Sequence, residues 1–486
     1  MKKLALSLIL IVFISMNLQS KTIRAYLSYS IFNTPDNKPY IETYLTIQSS
    51  CIVHALQENG TYQGKLNVQI IFRQNDSIVN FGKYELLSPE IKDTVANSVN
   101  FLDVQRYSLP TGVYDLELNL DDPNSEEEPI ISNTSFIIDF PVDEFAFSDI
   151  EFLSSYEKNE GAGILYKQGY EVIPYGFNFF SEEETELHFY TEVYNSEKSL
   201  GEESYIIYSY IRPFEVDKKL DQFFFMRKMK AKPINVLLST IDIEQLPTGN
   251  YLLVNEARDR NNDLIVSKEL FFYRNNPNAE FNLTNILISD PSSTFVGKID
   301  NRDTLVLYID YLYPISTEAE KIYVKSLIKT ADIEVLQKYF FNFWNERDKV
   351  DPEGTWLSYL DRVKQANYNF KTVSLEGYLS DRGRVYLQYG KPNVIAESHN
   401  EPAAFPYEIW HYYEINGQRN KKFVFYTQEI ATNDFHILHS DVVGELANYH
   451  WQRQLYSRTW DPYSIDDVII PNSYGSFATD YYLQPR

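Results

Sequence analysis

Hydrophobic and polar residues alternate with a period of two through most of the first half of the chain. In Ile41-Glu42-Thr43-Tyr44-Leu45-Thr46-Ile47, the side chains of Ile41, Thr43, Leu45 and Ile47 share one face. Leu66, Val68, Ile70 and Phe72 repeat the pattern against Lys65, Asn67, Gln69 and Arg73, and Leu116, Leu118 and Leu120 repeat it against Asp115, Glu117 and Asn119. Leu187, Phe189, Thr191 and Val193 form another such face. Half-buried antiparallel strands, with a core on one side and water on the other, impose this alternation. An internal echo accompanies it: Leu109-Pro110-Thr111-Gly112-Val113-Tyr114 recurs as Leu246-Pro247-Thr248-Gly249-Asn250-Tyr251. The Pro and Gly set a tight turn that opens a strand, and the Tyr two residues past the Gly matches the tyrosine corner of immunoglobulin-like sandwiches. The copies lie too far apart for a solenoid repeat. The pattern predicts a multidomain, mostly β chain with two tandem immunoglobulin-like β-sandwiches over residues 22–141 and 143–273.

Residues 274–278 read as a linker, and beyond them the period changes. A short β-like stretch is expected over residues 304–311. Thr317-x-x-Glu320 is a capping box that starts a helix. A second helix carries Leu336, Tyr339, Phe340, Phe343 and Trp344 on one stripe and stops at Arg347-Asp348, before Pro352. A third places Trp356, Leu360, Val363, Asn367 and Phe370 on a single seam. Alternation then returns. Val385, Leu387 and Tyr389 are expected on one strand, and Tyr407, Ile409, His411 and Tyr413 on the next. Phe423 and Phe425 line a third, and Phe435 and Ile437 a fourth. Residues 279–486 therefore read as a mixed α+β module with a small antiparallel sheet. Its aromatic tail (Trp451, Arg453, Tyr456, Arg458, Trp460) is expected to wrap over the module or to meet a partner.

Composition adds a compartment. Lys2 and Lys3 precede the apolar run of residues 4–16, so residues 1–20 read as a secretory signal removed on export. No later stretch is apolar enough to form a membrane-spanning helix. The single cysteine, Cys51, is not at the cleavage point and cannot pair within the chain, so neither a lipid anchor nor an internal disulfide is expected. It sits in a stretch read as a strand, as a small buried side chain. The formal charge of −24, two units more negative without Lys2 and Lys3, disfavours nucleic acid and anionic lipid as partners. A length of 486 residues suits roughly three domains.

Catalytic and metal patterns are weak. The acidic runs at residues 121–128 and 259–263 lack the register of a calcium loop and read as solvated hairpin tips. On a strand, His436 and His439 point to opposite faces and cannot share a metal. Neither a Gly-x-Ser-x-Gly elbow nor an HExxH pair occurs. A glycosidase-type carboxylate pair is a spatial arrangement that sequence alone leaves open. The helical middle argues against an outer-membrane barrel. No catalytic residue, metal or cofactor is assigned.

The densest motif is Gly377-Tyr378-Leu379-Ser380-Asp381-Arg382-Gly383-Arg384-Val385-Tyr386, followed by Tyr389-Gly390-Lys391-Pro392. Ser380 and Asp381 can cap backbone groups, and Asp381 can also pair with Arg382 or Arg384. Gly377 and Gly383 are expected to take positive φ at two bends. Arg347 and Asp348 close the second helix and can pair with this turn.

Together with Phe343-Trp344-x-x-Arg347-Asp348, Arg362-Val363-x-x-Ala366-x-x-x-Phe370 and Pro406-Tyr407-Glu408-Ile409-Trp410-x-Tyr412, the motif resembles the GWxTD-domain family. The N-terminal Phe32-x-x-Pro35-x-x-x-Pro39-Tyr40-Ile41-Glu42-x-Tyr44 is similar to the opening of those proteins. The chain departs from the naming pattern, with Tyr378 for Trp and Ser380 for Thr, and with Lys391 and Asn393 for Pro and Asp. Such mild exchanges suit packing and a hydroxyl cap. The resemblance implies an exported bacterial envelope protein of unassigned activity, in the periplasm or associated with the outer membrane. The expected role is a non-catalytic scaffold for an envelope protein partner, with glycan binding or processing as the alternative. Arg347, Asp348, Gly377, Tyr378, Ser380, Asp381, Arg382, Gly383, Arg384, Tyr386, Gly390 and Trp410 are the residues expected to form its structural or binding site.

Overall fold

A computed structural model describes residues 23–34, 36–75, 77–93, 100–141, 143–159, 161–214, 216, 218–279, 294–416, 418–448, 451–458 and 477–485. The signal segment and Trp460 lie outside these residues. Two compact units emerge: one holds residues up to Leu27, Thr43–Val104 and Gly112–Ile137, and the other holds the rest.

The first eight strands are β1 (Ala25–Phe32), β2 (Tyr40–Ile47), β3 (His54–Leu56), β4 (Tyr62–Gln74), β5 (Ser77–Leu87), β6 (Phe101–Ser108), β7 (Gly112–Asp121) and β8 (Ile130–Ile138). Strands β1, β2 and β6 form a three-stranded sheet; β3-β4-β7-β8 form another, with β5 also paired to β4. The alternating face is buried as its pattern requires. Val68, Ile70 and Phe72 stand opposite Leu120, Leu118 and Leu116, and each of the six is at most 5% exposed. Cys51 departs from expectation: it closes a 3-10 turn, Ser49–Cys51, and is half-buried. At the acidic tip that follows β7, Asp122 is buried. Its carboxylate accepts hydrogen bonds from the backbone of Val53 and Asn124.

The second unit continues with β9 (Ala146–Phe147), β10 (Glu151–Lys158), β11 (Tyr166–Lys167), β12 (Tyr170–Pro174), β13 (Phe179–Phe180) and β14 (Glu186–Tyr194). A short helix, α1 (Ser196–Leu200), leads to β15 (Ser204–Pro213), β16 (Phe224–Lys230), β17 (Ile234–Asp242), β18 (Gly249–Arg258) and β19 (Leu264–Arg274). Two sheets result, β11-β12-β10-β14-β17 with β9 on β14, and β13-β19-β18-β15-β16. They share one core, in which Phe152, Leu187, Phe189 and Leu237 of the first meet Ile207, Leu253 and Phe272 of the second. The Tyr251 hydroxyl donates to the Pro247 carbonyl at 3.0 Å, which ties the repeated turn to its own strand. Residues 274–278 are not a free linker. Arg274 ends β19 fully buried, bound to the carbonyl of Glu184, and Asn276 donates to the carbonyls of Glu244 and Leu246.

Five helices follow: α2 (Arg302–Asp310), α3 (Glu318–Thr330), α4 (Ile333–Arg347), α5 (Pro352–Phe370) and α6 (Asp381–Tyr389). The predicted β-like stretch at 304–311 is helical. Asn301 caps it by accepting from the Thr304 amide, and Leu305 and Ile309, one turn apart, carry its buried face. The capping box of Thr317 and Glu320 forms in full. In α4 the buried residues are Leu336, Tyr339, Phe340, Phe343 and Trp344, the predicted stripe. In α5 the seam runs through Trp356, Tyr359, Val363 and Ala366, so Leu360, Asn367 and Phe370 flank it. Rings of Phe340 and Trp356 meet edge to face at 4.9 Å in this helical core. Each such ring contributes about 1.5–3 kcal/mol by leaving water.

The predicted strand at 385–389 is helix α6. Ser380 supplies its cap, and its two faces serve two cores: Leu387 joins the helices, and Val385 joins the sheet. That sheet is antiparallel, in the order β20 (Val394–Ser398), β21 (Tyr407–Ile415), β22 (Gln418–Tyr426) and β23 (His436–Ser440). Both of its faces are covered. Trp410, Phe423 and Phe425 pack with Val385, whereas Tyr407, Ile409 and Val424 pack under Trp451 and Leu455. Trp451 and Leu455 belong to α7 (Trp451–Tyr456), which α8 (Ala478–Leu483) follows. The described part of the aromatic tail therefore wraps over the module.

Candidate functional site

The motif is a joint between α5, α6 and β23. Residues Gly377–Leu379 make one 3-10 turn. Gly377 presses so close to α5 that an added Cβ would lie 2.0 Å from the Ala366 carbonyl oxygen. A Cβ on Gly383 would lie 1.7 Å from the carbonyl oxygen of Gly377. Neither glycine has positive φ; close approach of backbone, and not a left-handed bend, excludes a side chain at both. Gly390, which closes α6, is the motif glycine that does adopt positive φ, at +84°.

Ser380 Oγ accepts from the Gly383 amide at 3.1 Å and donates to the Gly377 carbonyl at 2.8 Å. Asp381 accepts from the Ile437 amide of β23 at 2.8 Å. The expected pairing of Asp381 with Arg382 or Arg384 does not form; both arginines reach other carboxylates. Arg382 Nη1 donates to Glu408 Oε1 at 2.5 Å, and its Nη2 donates to the carbonyl and side-chain oxygens of Asn433 at 2.9 and 2.6 Å. Its guanidinium carbon lies 4.1 Å from the Phe435 ring centre. Burial pulls the Arg382 guanidinium below its ordinary value, and the neighbouring Glu408 opposes that shift. Trp410 is fully buried and donates from Nε1 to the second oxygen of Glu408 at 2.9 Å. Arg384 forms a bidentate pair with Glu445, at 2.8 and 2.7 Å, to which Tyr389 adds its hydroxyl at 2.8 Å.

Tyr378 packs against Tyr311 and donates its hydroxyl to Asp310. Burial, and then the Asp310 contact, push that hydroxyl well above the usual tyrosine value. Tyr386 donates to Gln365 at 2.6 Å. Arg347 and Asp348 lie outside this joint. Arg347 pairs with the capping-box Glu320 at 3.0 Å and stacks on Phe343. Asp348 accepts from the amides of Val350 and Asp351 and from Thr355, which joins α4 to α5. Those backbone bonds hold its carboxyl below the ordinary range. The expected contact of both residues with the turn is thus corrected: each serves the helix end it sits on.

Beside the joint, Arg384, Gln388, Tyr389 and Glu445 wall a recess with Glu318 and Lys321. Its volume of about 130 Å³ is below the few hundred cubic ångströms of an ordinary ligand pocket. Asp381, Arg382 and Trp410 do not line it. A separate cluster was not foreseen: Glu397, His399 and Glu408 bring possible metal-ligating atoms within 4.8 Å of one another. Its only sequence signal is the Glu-x-His spacing, with His399 one residue past the end of the strand that carries Glu397.

The N-terminal stretch of the resemblance also makes a buried network. Lys167 Nζ bridges Glu42 and Glu151 at 2.5 Å each, over the ring of Phe32 at 4.2 Å, and Arg106 pairs with Glu42 from the other side.

A family model described as the GWxTD domain matches residues 293–451. No curated protein matches the chain. Among solved structures, the fibronectin(III)-like modules of Clostridium thermocellum CbhA align over 50% of this chain and 89% of theirs, at 10% identity and a TM-score of 0.14. A glycosyl hydrolase family 2 member from Bacteroides cellulosilyticus DSM 14838 aligns over 48% of this chain and 28% of its own, at 14% identity and a TM-score of 0.15. Likenesses this distant carry no argument about fold or activity.

Proposed function

The chain is a GWxTD-domain-containing protein, and from that premise we propose that it is an exported, non-catalytic scaffold of the bacterial envelope. In this reading two immunoglobulin-like sandwiches present the C-terminal α+β module to another envelope protein. One observation carries it: the polar side chains of the motif are engaged inside the molecule. Arg382 is held by Glu408 and Asn433, Arg384 by Glu445, Asp381 by the β23 backbone and Ser380 by its own turn. Groups committed in this way cement layers together and are not poised to meet a substrate. Among the described residues no helix is long and apolar enough to cross a membrane.

Affinity purification of the full chain from its native envelope tests the reading. A protein partner recovered in fixed proportion is the expected result. Retention on polysaccharide with no protein partner would overturn it in favour of glycan recognition.

A further inference from the structure

Glu397 on β20 and Glu408 on β21 are register partners in the C-terminal sheet. His399 lies one residue past the end of β20, and its ligand atom falls within 4.8 Å of those of both glutamates. Burial is graded across the three: Glu408 is buried, His399 half-buried and Glu397 exposed. Two carboxylates directly opposite on neighbouring strands repel each other. Arg382 bonds to Glu408, and the charge of Glu397 acts on the same guanidinium. His399 Nε2 is shut off from solvent and has no hydrogen-bond partner among the described residues. A buried polar nitrogen left so costs about 1–3 kcal/mol unless something else satisfies it.

We propose that Glu397, His399 and Glu408 form a site for one divalent first-row transition ion of the Zn²⁺ type. The donor set decides the ion class. Calcium needs six or more converging oxygens, whereas one imidazole nitrogen with two carboxylate oxygens suits Zn²⁺. Bonds of about 2.0–2.2 Å place tetrahedral ligand atoms roughly 3.4 Å apart. The three ligand atoms, all within 4.8 Å of one another, need only close inward to reach that spacing. Exposed Glu397 can supply the movement by side-chain rotation. Glu408 cannot move far, because Arg382 Nη1 and Trp410 Nε1 hold one oxygen each. Arg382 and Trp410 thereby become the outer layer that orients a ligand, and the ion relieves the repulsion between the two glutamates. Water completes the coordination. This site stands independently of the scaffold reading.

Titration calorimetry on the full, untagged chain, dialysed against chelator and then given ZnCl₂ at neutral pH, tests the proposal. The expected result is one Zn²⁺ per chain, with affinity lowered about tenfold or more in His399→Ala and in Glu397→Gln. His188→Ala, on β14 and bonded there to Thr240, should bind as the parent does. Calcium should bind at least about tenfold more weakly than zinc, since it gains little from the nitrogen. No binding at saturating zinc would overturn the site, as would unchanged binding in both ligand variants. Both variants change side chains that are not fully buried, and the metal-free melting curve of Glu397→Gln checks that the fold is intact.

Discussion

Gly383 shows how much one missing atom can matter. An added methyl would sit 1.7 Å from the Gly377 carbonyl oxygen, so Gly383→Ala must push α6 away from the turn before it. The expected loss is about 1–3 kcal/mol, the usual range for overpacking, read as a lower urea midpoint. Gly390→Ala meets no nearby atom and costs only the strain of a backbone conformation (φ +84°, ψ −169°) that is essentially confined to glycine, about 1–3 kcal/mol. If Gly390→Ala proves the more damaging of the two, close approach is not what the motif glycine serves. Ser380 acts through its cap. Ser380→Ala should lose about 1 kcal/mol and Ser380→Thr should retain the stability, since threonine keeps the hydroxyl that the Gly383 amide needs. The half-exposed carboxylate of Asp381 accepts from the Ile437 amide, so Asp381→Ala should cost on the order of 1 kcal/mol.

At the scale of elements, the pair between α6 and β21 is the critical tie. Arg382 and Glu408 have side chains only 6% and 9% exposed. Removing the arginine alone leaves a buried carboxylate without its cation, a loss of about 3–5 kcal/mol. Arg382→Met combined with Glu408→Gln should recover much of that loss. A double variant no more stable than Arg382→Met would show that the charge is not the problem. The opposite face of the same sheet carries a pH dependence. His439 Nδ1 accepts from the Asn448 amide, its Nε2 lies 3.0 Å from the Tyr482 hydroxyl, and its ring stacks on Trp451. Burial first, and Lys422 second, push its pKa down to about 4. The unfolded chain has an ordinary histidine near 6.5, so between these values it binds the proton that the folded state refuses. The stabilisation is therefore complete above about pH 6.5 and lost as the pH falls through 4, with a ceiling of about 3 kcal/mol. Denaturant titrations across this window should show a shallower slope for His439→Gln. An identical slope would remove His439 as the cause.

At the scale of the whole molecule, a chain ending at residue 279 keeps the Asn276 bonds to Glu244 and Leu246, and so keeps the end of β19 intact. It should fold yet lose the proposed envelope partner if the C-terminal module makes the contact. Unchanged co-purification would assign that contact to the sheets that precede the module. Local physics made much of this architecture legible in advance. Alternation along β4, β7 and β14, the Thr317–Glu320 box and the stripe on α4 each depend only on residues a few positions apart. Short apolar runs were not legible. Residues 302–310 and 381–389 suit either period, and the caps at Asn301 and Ser380, with packing against neighbouring helices, made both helical. The roles of Gly377 and Gly383 were hidden for a related reason, because a backbone collision appears only once another segment is in place. Sequence alone determined the faces of β4, β7 and β14, the start of α3 and the excess of negative charge, since each follows from chain-local chemistry. Tertiary structure alone decided which carboxylate each arginine meets, and that Glu397 stands beside Glu408, because register between strands sets contacts that no spacing along the chain encodes.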